Sequence, residues 1–221
     1  MLPKEPSKEE AFKKGLTKGS SAKSSYKEPA ESKSSSQGDF SKVPRNKKLA
    51  KIKDEIIKQD KNGMTILMGL CVRCNNITPE LIREFKDSFG MRDNIRYTAL
   101  MLLCGNNKNI TPELIRELKD EIGMKNNRRE TAFMCLYQYN SSSITPELIR
   151  ELKNEIGMKD KNENTALMYL CDCGDSPTPE LIRVLKNEIG MKNKDGYTAY
   201  SYYCDKEYCN YDKTIIEILE N

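Results

Sequence analysis

A four-residue signature returns five times along this chain at nearly fixed spacing: Thr65-Ile-Leu-Met, Thr98-Ala-Leu-Met, Thr131-Ala-Phe-Met, Thr165-Ala-Leu-Met and Thr198-Ala-Tyr-Ser, at intervals of 33, 33, 34 and 33 residues. A second motif, Thr-Pro-Glu-Leu-Ile-Arg, starts at Thr78, Thr111, Thr145 and Thr178, at intervals of 33, 34 and 33. A period in this range belongs to repeat solenoids, whose units are too small to enclose a core and bury their apolar stripes on one another. Two motifs per period mean two elements per unit. The fold class expected is all-α, a helical repeat solenoid of about five repeats over residues 45–221.

One unit shows the logic. Thr98-Ala-Leu-Met-Leu-Leu-Cys is a short apolar segment whose threonine can cap its own helix. After a polar loop, a second helix is expected from Thr111 as N-cap, with Pro112 at its first position and Gly123 just past its end. Within it Leu114, Ile115, Leu118 and Ile122 form an apolar stripe opposite Glu113, Arg116, Glu117, Lys119 and Asp120. Leu49, Ile52 and Ile56 fall in the same phase before Thr65, so residues 48–57 read as an N-terminal half-repeat cap. At the other end, Lys213-Thr-Ile-Ile-Glu-Ile-Leu and the altered signature at Tyr200 and Ser201 read as a modified C-terminal cap.

The remainder is tail. The first 50 residues hold ten Ser and twelve Lys or Arg against six Asp or Glu, so this stretch carries +6 while the whole chain carries +4. Such a segment has too little apolar surface to offset its ordering entropy, and residues 1–44 are expected to be a disordered basic tail. The N-terminus lacks an apolar h-region, and no apolar stretch reaches the length of a membrane span, so a cytoplasmic or nuclear protein is expected. Of eight Cys, four (Cys71, Cys104, Cys171 and Cys204) stand six residues after a signature Thr, which marks them as packing residues of a reduced protein.

The repeat resembles the ankyrin repeat, a 33-residue unit opening on Asp-x-x-Gly-x-Thr-Pro-Leu-His-x-Ala-Ala. The resemblance is carried by Asp195-Gly-Tyr-Thr-Ala-Tyr and by Asp60-Lys-Asn-Gly-Met-Thr-Ile-Leu-Met-Gly-Leu-Cys. It implies that the turn holding the Asp and Gly projects as a finger, and that fingers and first helices make a concave face that binds other proteins. The chain departs from the family in having Met for His in four signatures and Ala or Ile for Pro. Arg96, Arg129 and Glu163 stand where the turn Gly is expected, which leaves open whether those turns are regular. The second helix also starts about three residues late and runs about a turn long relative to the family. A tetratricopeptide-type pair is the structural alternative, but its Trp, Leu-Gly and Tyr landmarks are missing.

Chemistry is sparsely signalled. The chain has no His, which removes Ser–His and Cys–His nucleophile pairs and the commonest metal ligand. Cys71-x-x-Cys74 resembles a metal half-site without a second half at suitable spacing. Glu113, Glu117 and Glu121 at i, i+4 spacing read as a solvated helix face. No catalytic residue, metal site or cofactor is expected. The copies differ mainly before each signature Thr and at the exit of the first helix, where the family's binding face lies: Ile95, Arg96, Tyr97, Arg128, Arg129, Glu130, Gln138, Tyr139, Tyr169, Asp172, Tyr197 and Tyr202. The last repeat holds six of the eleven Tyr, some to cover the open end of the stack.

The reading that follows is a non-enzymatic, monomeric interaction module or adaptor that binds a partner protein through this face. The alternative is association with the ribosome or another RNA particle through Lys13, Lys14, Lys18, Lys23, Arg45, Lys47 and Lys48 of the tail region.

Overall fold

Four of the five first helices begin at a threonine that takes up an orphan backbone donor, the exception being Thr165, whose Oγ1 is buried without a hydrogen-bond partner among the described residues. In the computed structural model, which describes residues 54–172, 177–205 and 212–220, Oγ1 of Thr65, Thr98 and Thr131 accepts from the amides of Met68, Met101 and Met134 at 3.3, 3.4 and 3.5 Å. Thr198 does the same with Ser201 at 3.3 Å. In the first repeat Met68 Sδ also accepts from the Thr65 amide, so the methionine of the signature caps as well as packs.

The chain separates into two units, Met1–Lys42 and Val43–Asn221, and every described residue belongs to the second. First and second helices alternate: α1 (Ile66–Arg73) and α2 (Pro79–Glu84), α3 (Ala99–Asn106) and α4 (Pro112–Glu117), α5 (Ala132–Tyr139) and α6 (Pro146–Glu151), α7 (Ala166–Asp172) and α8 (Pro179–Val184), α9 (Ala199–Cys204) and α10 (Lys213–Glu220). The first helices pack in succession, α1 on α3, α3 on α5, α5 on α7 and α7 on α9, and the second helices form a parallel succession from α2 to α10. The array is an all-α repeat solenoid, and no strand occurs among the described residues. None of the described helices is long and apolar enough to cross a membrane.

The core follows the signature. In α3, Ala99 to Gly105 are all buried, as a helix enclosed by neighbours on all sides must be. Cys71, Cys104 and Cys171 are fully buried and Cys204 half-buried, as expected from their phase, and the third repeat sets Tyr137 there instead, its ring 4.9 Å from that of Phe133. Cys71, Cys74, Cys104, Cys135, Cys171 and Cys204 form no disulfide among the described residues. Of the N-terminal half-unit, residues 54–56 are helical with Ile56 half-buried, while Leu49 and Ile52 lie outside the described residues. At the C-terminus α10 packs on α8 and α9 and buries Ile215 and Leu219.

The second helix departs from expectation. Rather than running to Gly123, α4 ends at Glu117 and one 3₁₀ turn, Lys119–Glu121, follows. The Leu118 amide reaches back to Ile115 O at 3.0 Å and the Glu121 amide to Leu118 O at 2.9 Å, so hydrogen bonding has tightened from i−4 to i−3. Tighter winding takes Glu121 off the water face that Glu113 shares. Glu121 is 1% exposed, which corrects its reading as part of a solvated face, and Glu155 and Glu188 are buried in the same way. Glu155 Oε1 accepts from the Gly123 amide at 2.7 Å and Oε2 from the Phe133 amide at 2.7 Å. Glu121 does likewise with Gly90 and Leu100, and Glu188 with Gly157 and Leu167. Each carboxylate thus joins its own first helix to the end of the preceding second helix. In the first repeat the equivalent residue is Ser88, which donates to Phe85 O. Burial raises all three carboxyls above the usual range, while the backbone N–H donors pull the other way.

The turns before each Thr are regular even where Gly is replaced. In one, Asp93 Oδ1 accepts from the amides of Ile95 and Tyr97, and the Arg96 amide donates to Asp93 O. Asn126, Asp160 and Asn193 repeat this side-chain pattern. The fourth turn residue is left-handed in every copy: φ is 78° at Gly63 and 84° at Gly196, but also 67° at Arg96, 61° at Arg129 and 65° at Glu163. A non-glycine residue there costs about 1 kcal/mol, and the Asx bonds hold the turn against it. Arg129→Gly is therefore expected to stabilise the array by about 0.5 kcal/mol in urea unfolding. A loss instead would mean that the arginine side chain contributes more than the strain removes.

Candidate functional site

The site is built where a turn meets the end of a first helix. Arg128, in the turn before α5, sends Nη2 to the hydroxyls of Tyr97 at 3.0 Å and Tyr139 at 2.6 Å, and Nε to Glu130 Oε2 at 3.0 Å. The same Glu130 oxygen accepts from Asn126 Nδ2 at 2.7 Å and from the Tyr97 hydroxyl at 3.3 Å. Tyr97 belongs to the preceding turn and Tyr139 closes α5, so the cluster ties two turns and a helix exit into one surface. Tyr139 reaches the turn because a helical side chain leans toward the N-terminus of its helix.

Its electrostatics are set by Glu130, which is 2% exposed. Burial lowers the Arg128 guanidinium's affinity for its proton, but Glu130 and the two phenols more than offset this and leave it raised. Burial likewise raises the Tyr97 and Tyr139 phenols. The network sets one buried carboxylate against one guanidinium. It is a rigid, charge-compensated platform.

A second group continues the surface. The Tyr169 hydroxyl donates to Asp160 Oδ2 at 2.9 Å, and burial followed by Asp160 raises its phenol. Asn193 Nδ2 donates to the Tyr202 hydroxyl at 3.0 Å and to Asn164 Oδ1 at 2.9 Å, and the Tyr197 and Tyr202 rings lie 6.1 Å apart. Tyr169 and Tyr202 stand four residues after their signature threonines, where earlier repeats carry Gly69, Leu102 and Cys135. The first-helix surface thus grows more aromatic toward the C-terminus.

Of the twelve residues expected to bind a partner, Ile95, Arg96, Arg128, Arg129, Tyr139, Asp172 and Tyr197 are exposed. Tyr97, Gln138, Tyr169 and Tyr202 are half-buried and Glu130 is buried, its carboxylate facing Arg128 rather than solvent. The Gln138 amide oxygen is buried without a hydrogen-bond partner among the described residues. Four residues outside the expected set complete these groups: Asn126 holds the Glu130 carboxylate, while Asp160, Asn164 and Asn193 orient the hydroxyls of Tyr169 and Tyr202. The signal available for Asn126, Asp160 and Asn193 was the recurrence of Asp or Asn five residues ahead of each signature threonine, whereas Asn164 directly precedes its threonine and carries no such signal. Lys13, Lys14, Lys18, Lys23, Arg45, Lys47 and Lys48 lie outside the described residues.

No protein-family model and no curated protein sequence matches the chain. Among solved structures it is similar to a chain of the complex between a predatory endopeptidase of Bdellovibrio bacteriovorus and an immunity protein, with a TM-score of 0.55 and 21% identity over 79% of this chain and 89% of that one. At that identity the likeness is one of fold.

Proposed function

We propose that this chain is an ankyrin-like array acting as a non-enzymatic adaptor, and that it binds a partner protein through the surface formed by its turns and first-helix exits. The observation that carries this reading is where large apolar side chains meet solvent. Among the described residues they are Ile57, Ile66, Ile95, Tyr139 and Tyr197. The first two flank the N-terminal end of the stack, and the other three all belong to the turn and helix-exit surface. Exposed aromatic residues beside Arg, held by their own hydrogen bonds, are the anchors that interfaces favour. Because the hydroxyls of Tyr97, Tyr139 and Tyr202 are already oriented, little ordering entropy is lost on binding. A reducing compartment, cytoplasmic or nuclear, suits six cysteines that form no disulfide among the described residues.

The test uses variants that leave the platform intact. Arg128→Glu is unsuitable, since it sets a second carboxylate against buried Glu130. Ile95→Asp with Tyr197→Ala alters exposed side chains only, and it is expected to reduce capture of the native partner by the full chain about tenfold with thermal unfolding unchanged. Undiminished capture would remove this surface from the proposal. Capture that instead fails on neutralising Lys13, Lys14, Lys18 and Lys23 would favour RNA-particle association.

A further inference from the structure

The array separates its charge. The five turn segments (58–64, 91–97, 124–130, 158–164 and 191–197) carry eleven Lys or Arg against six Asp or Glu. The four second-helix segments (78–89, 111–122, 145–156 and 178–189) carry eight against twelve. Between them the first helices are nearly uncharged, with Arg73 and Asp172 alone. One edge is therefore basic and the opposite row acidic.

Much of the acid on the basic edge is turned inward. Asp93, Glu130 and Asp160 are buried, with Asp93 and Asp160 accepting amides of their own turns and Glu130 facing Arg128. Glu163 pairs with Lys159 at 3.2 Å. By contrast Arg96, Arg129, Lys161, Lys192 and Lys194 are exposed and form no ion pair with a described residue. Successive turns are fixed to one another by backbone hydrogen bonds, Asn94 to Asn62 O at 3.0 Å, Asn127 to Ile95 O at 3.0 Å, Lys161 to Arg128 O at 2.8 Å and Lys194 to Asn162 O at 2.9 Å. The cations thus stand in a row whose backbone is already ordered.

We infer that this row of turns binds an acidic segment of the partner protein, whose carboxylates meet Arg96, Arg129, Lys161 and Lys194 while its apolar residues cover Ile95 and Tyr197. This rests on the adaptor reading above and adds the chemistry of the partner. Complementary charge of this kind steers encounter and fixes register. A nucleic-acid strand suits the edge less well, because Asp60 and Asp195 are exposed among the cations and oppose a continuous line of phosphates. An acidic peptide can place its carboxylates between them. The chain's own N-terminal 50 residues, carrying +6, have the wrong sign for this edge.

The experiment is fluorescence anisotropy on the full chain with three labelled probes: a Glu-rich peptide containing Leu and Tyr, the same peptide with Gln for Glu, and a single-stranded RNA of equal charge. The Glu peptide is expected to bind at least about tenfold tighter than the Gln peptide and tighter than the RNA, with affinity falling as salt rises. The variant Arg96→Gly, Arg129→Gly, Lys161→Gln, Lys194→Gln should lose about tenfold while its unfolding temperature holds or rises, because the glycines relieve left-handed strain. Neutralising Lys13, Lys14, Lys18 and Lys23 should change nothing. Equal binding of the two peptides, tighter RNA binding, full affinity in the turn variant or a loss confined to the tail variant would each overturn the inference. If capture of the native partner still depends on Ile95 and Tyr197 but not on the four cations, the adaptor reading stands and the acidic partner falls.

Discussion

Glu155→Ala is expected to destabilise the array by about 3 kcal/mol, because it leaves two backbone donors, the half-buried Gly123 N–H and the buried Phe133 N–H, without an acceptor. Each such group costs about 1–3 kcal/mol when orphaned, and water has little access where the side chain is 1% exposed. Urea unfolding of the full chain measures the loss. A value below about 1 kcal/mol would show that the bridge is ornamental. Ser88→Ala is the natural comparison, since Ser88 occupies the same phase in the first repeat but its hydroxyl donates to one carbonyl within its own turn. It should cost about 1 kcal/mol.

The same carboxylate gives the stability a pH dependence with a definite sign. Burial sets the folded-state value of Glu155 above that of the unfolded chain. A group shifted upward binds its proton more tightly when folded, so its contribution is greatest below the unfolded value and declines as pH rises through the folded one. The stability of the parent chain relative to Glu155→Gln should therefore fall over the interval that begins at the ordinary glutamate value, about pH 4, and runs up through its raised folded value. A relative stability that rises across that interval would mean that the two N–H donors, rather than burial, dominate.

What the sequence discloses about this fold is what repeats and obeys local rules. Thr before an apolar run, Pro after Thr, Gly past the last Ile and Cys at one phase are each visible in a single copy and confirmed by the next. The burial of Glu121, Glu155 and Glu188 was hidden because i, i+4 spacing from Glu113 and Glu117 satisfies a continuous α-helix, and nothing local announces the shift to i−3 bonding at Leu118. The available hint lay between copies: Glu151 gives way to Val184 and Asp120 to Asn154, as a water-facing residue can, while the buried position keeps Glu in three consecutive repeats. The left-handed turns were legible only in part. Loss of Gly at Arg96, Arg129 and Glu163 leaves their regularity open, and what settles it is the Asp or Asn three residues earlier, which supplies two side-chain bonds that preserve the turn. The Arg128 cluster was only half legible. Tyr97, Arg128, Glu130 and Tyr139 stand at positions that vary between copies, but the bond to Tyr139 exists because the fold brings a helix exit back over a turn.

Phe133→Ala tests how the stack shares stability, and it is expected to cost about 4 kcal/mol. The ring is fully buried, rests 4.9 Å from that of Tyr137 and belongs to α5, which packs on both α3 and α7. Stability in an array is approximately a sum of unit terms and nearest-neighbour interfaces. A defect in the middle unit therefore weakens two interfaces, where the same change at either end weakens one. The expected result is a urea transition that broadens or divides, with the repeats before α5 and those after it unfolding apart. Binding should suffer alongside, because Tyr139 lies on α5 and Arg128 in the turn that leads into it, so the platform loses its fixed geometry even though none of its own residues has changed. Should the transition stay single and lose less than about 1.5 kcal/mol, α5 would not be the keystone its position implies, and the coupling between turn surface and core would have to run through the buried glutamates alone.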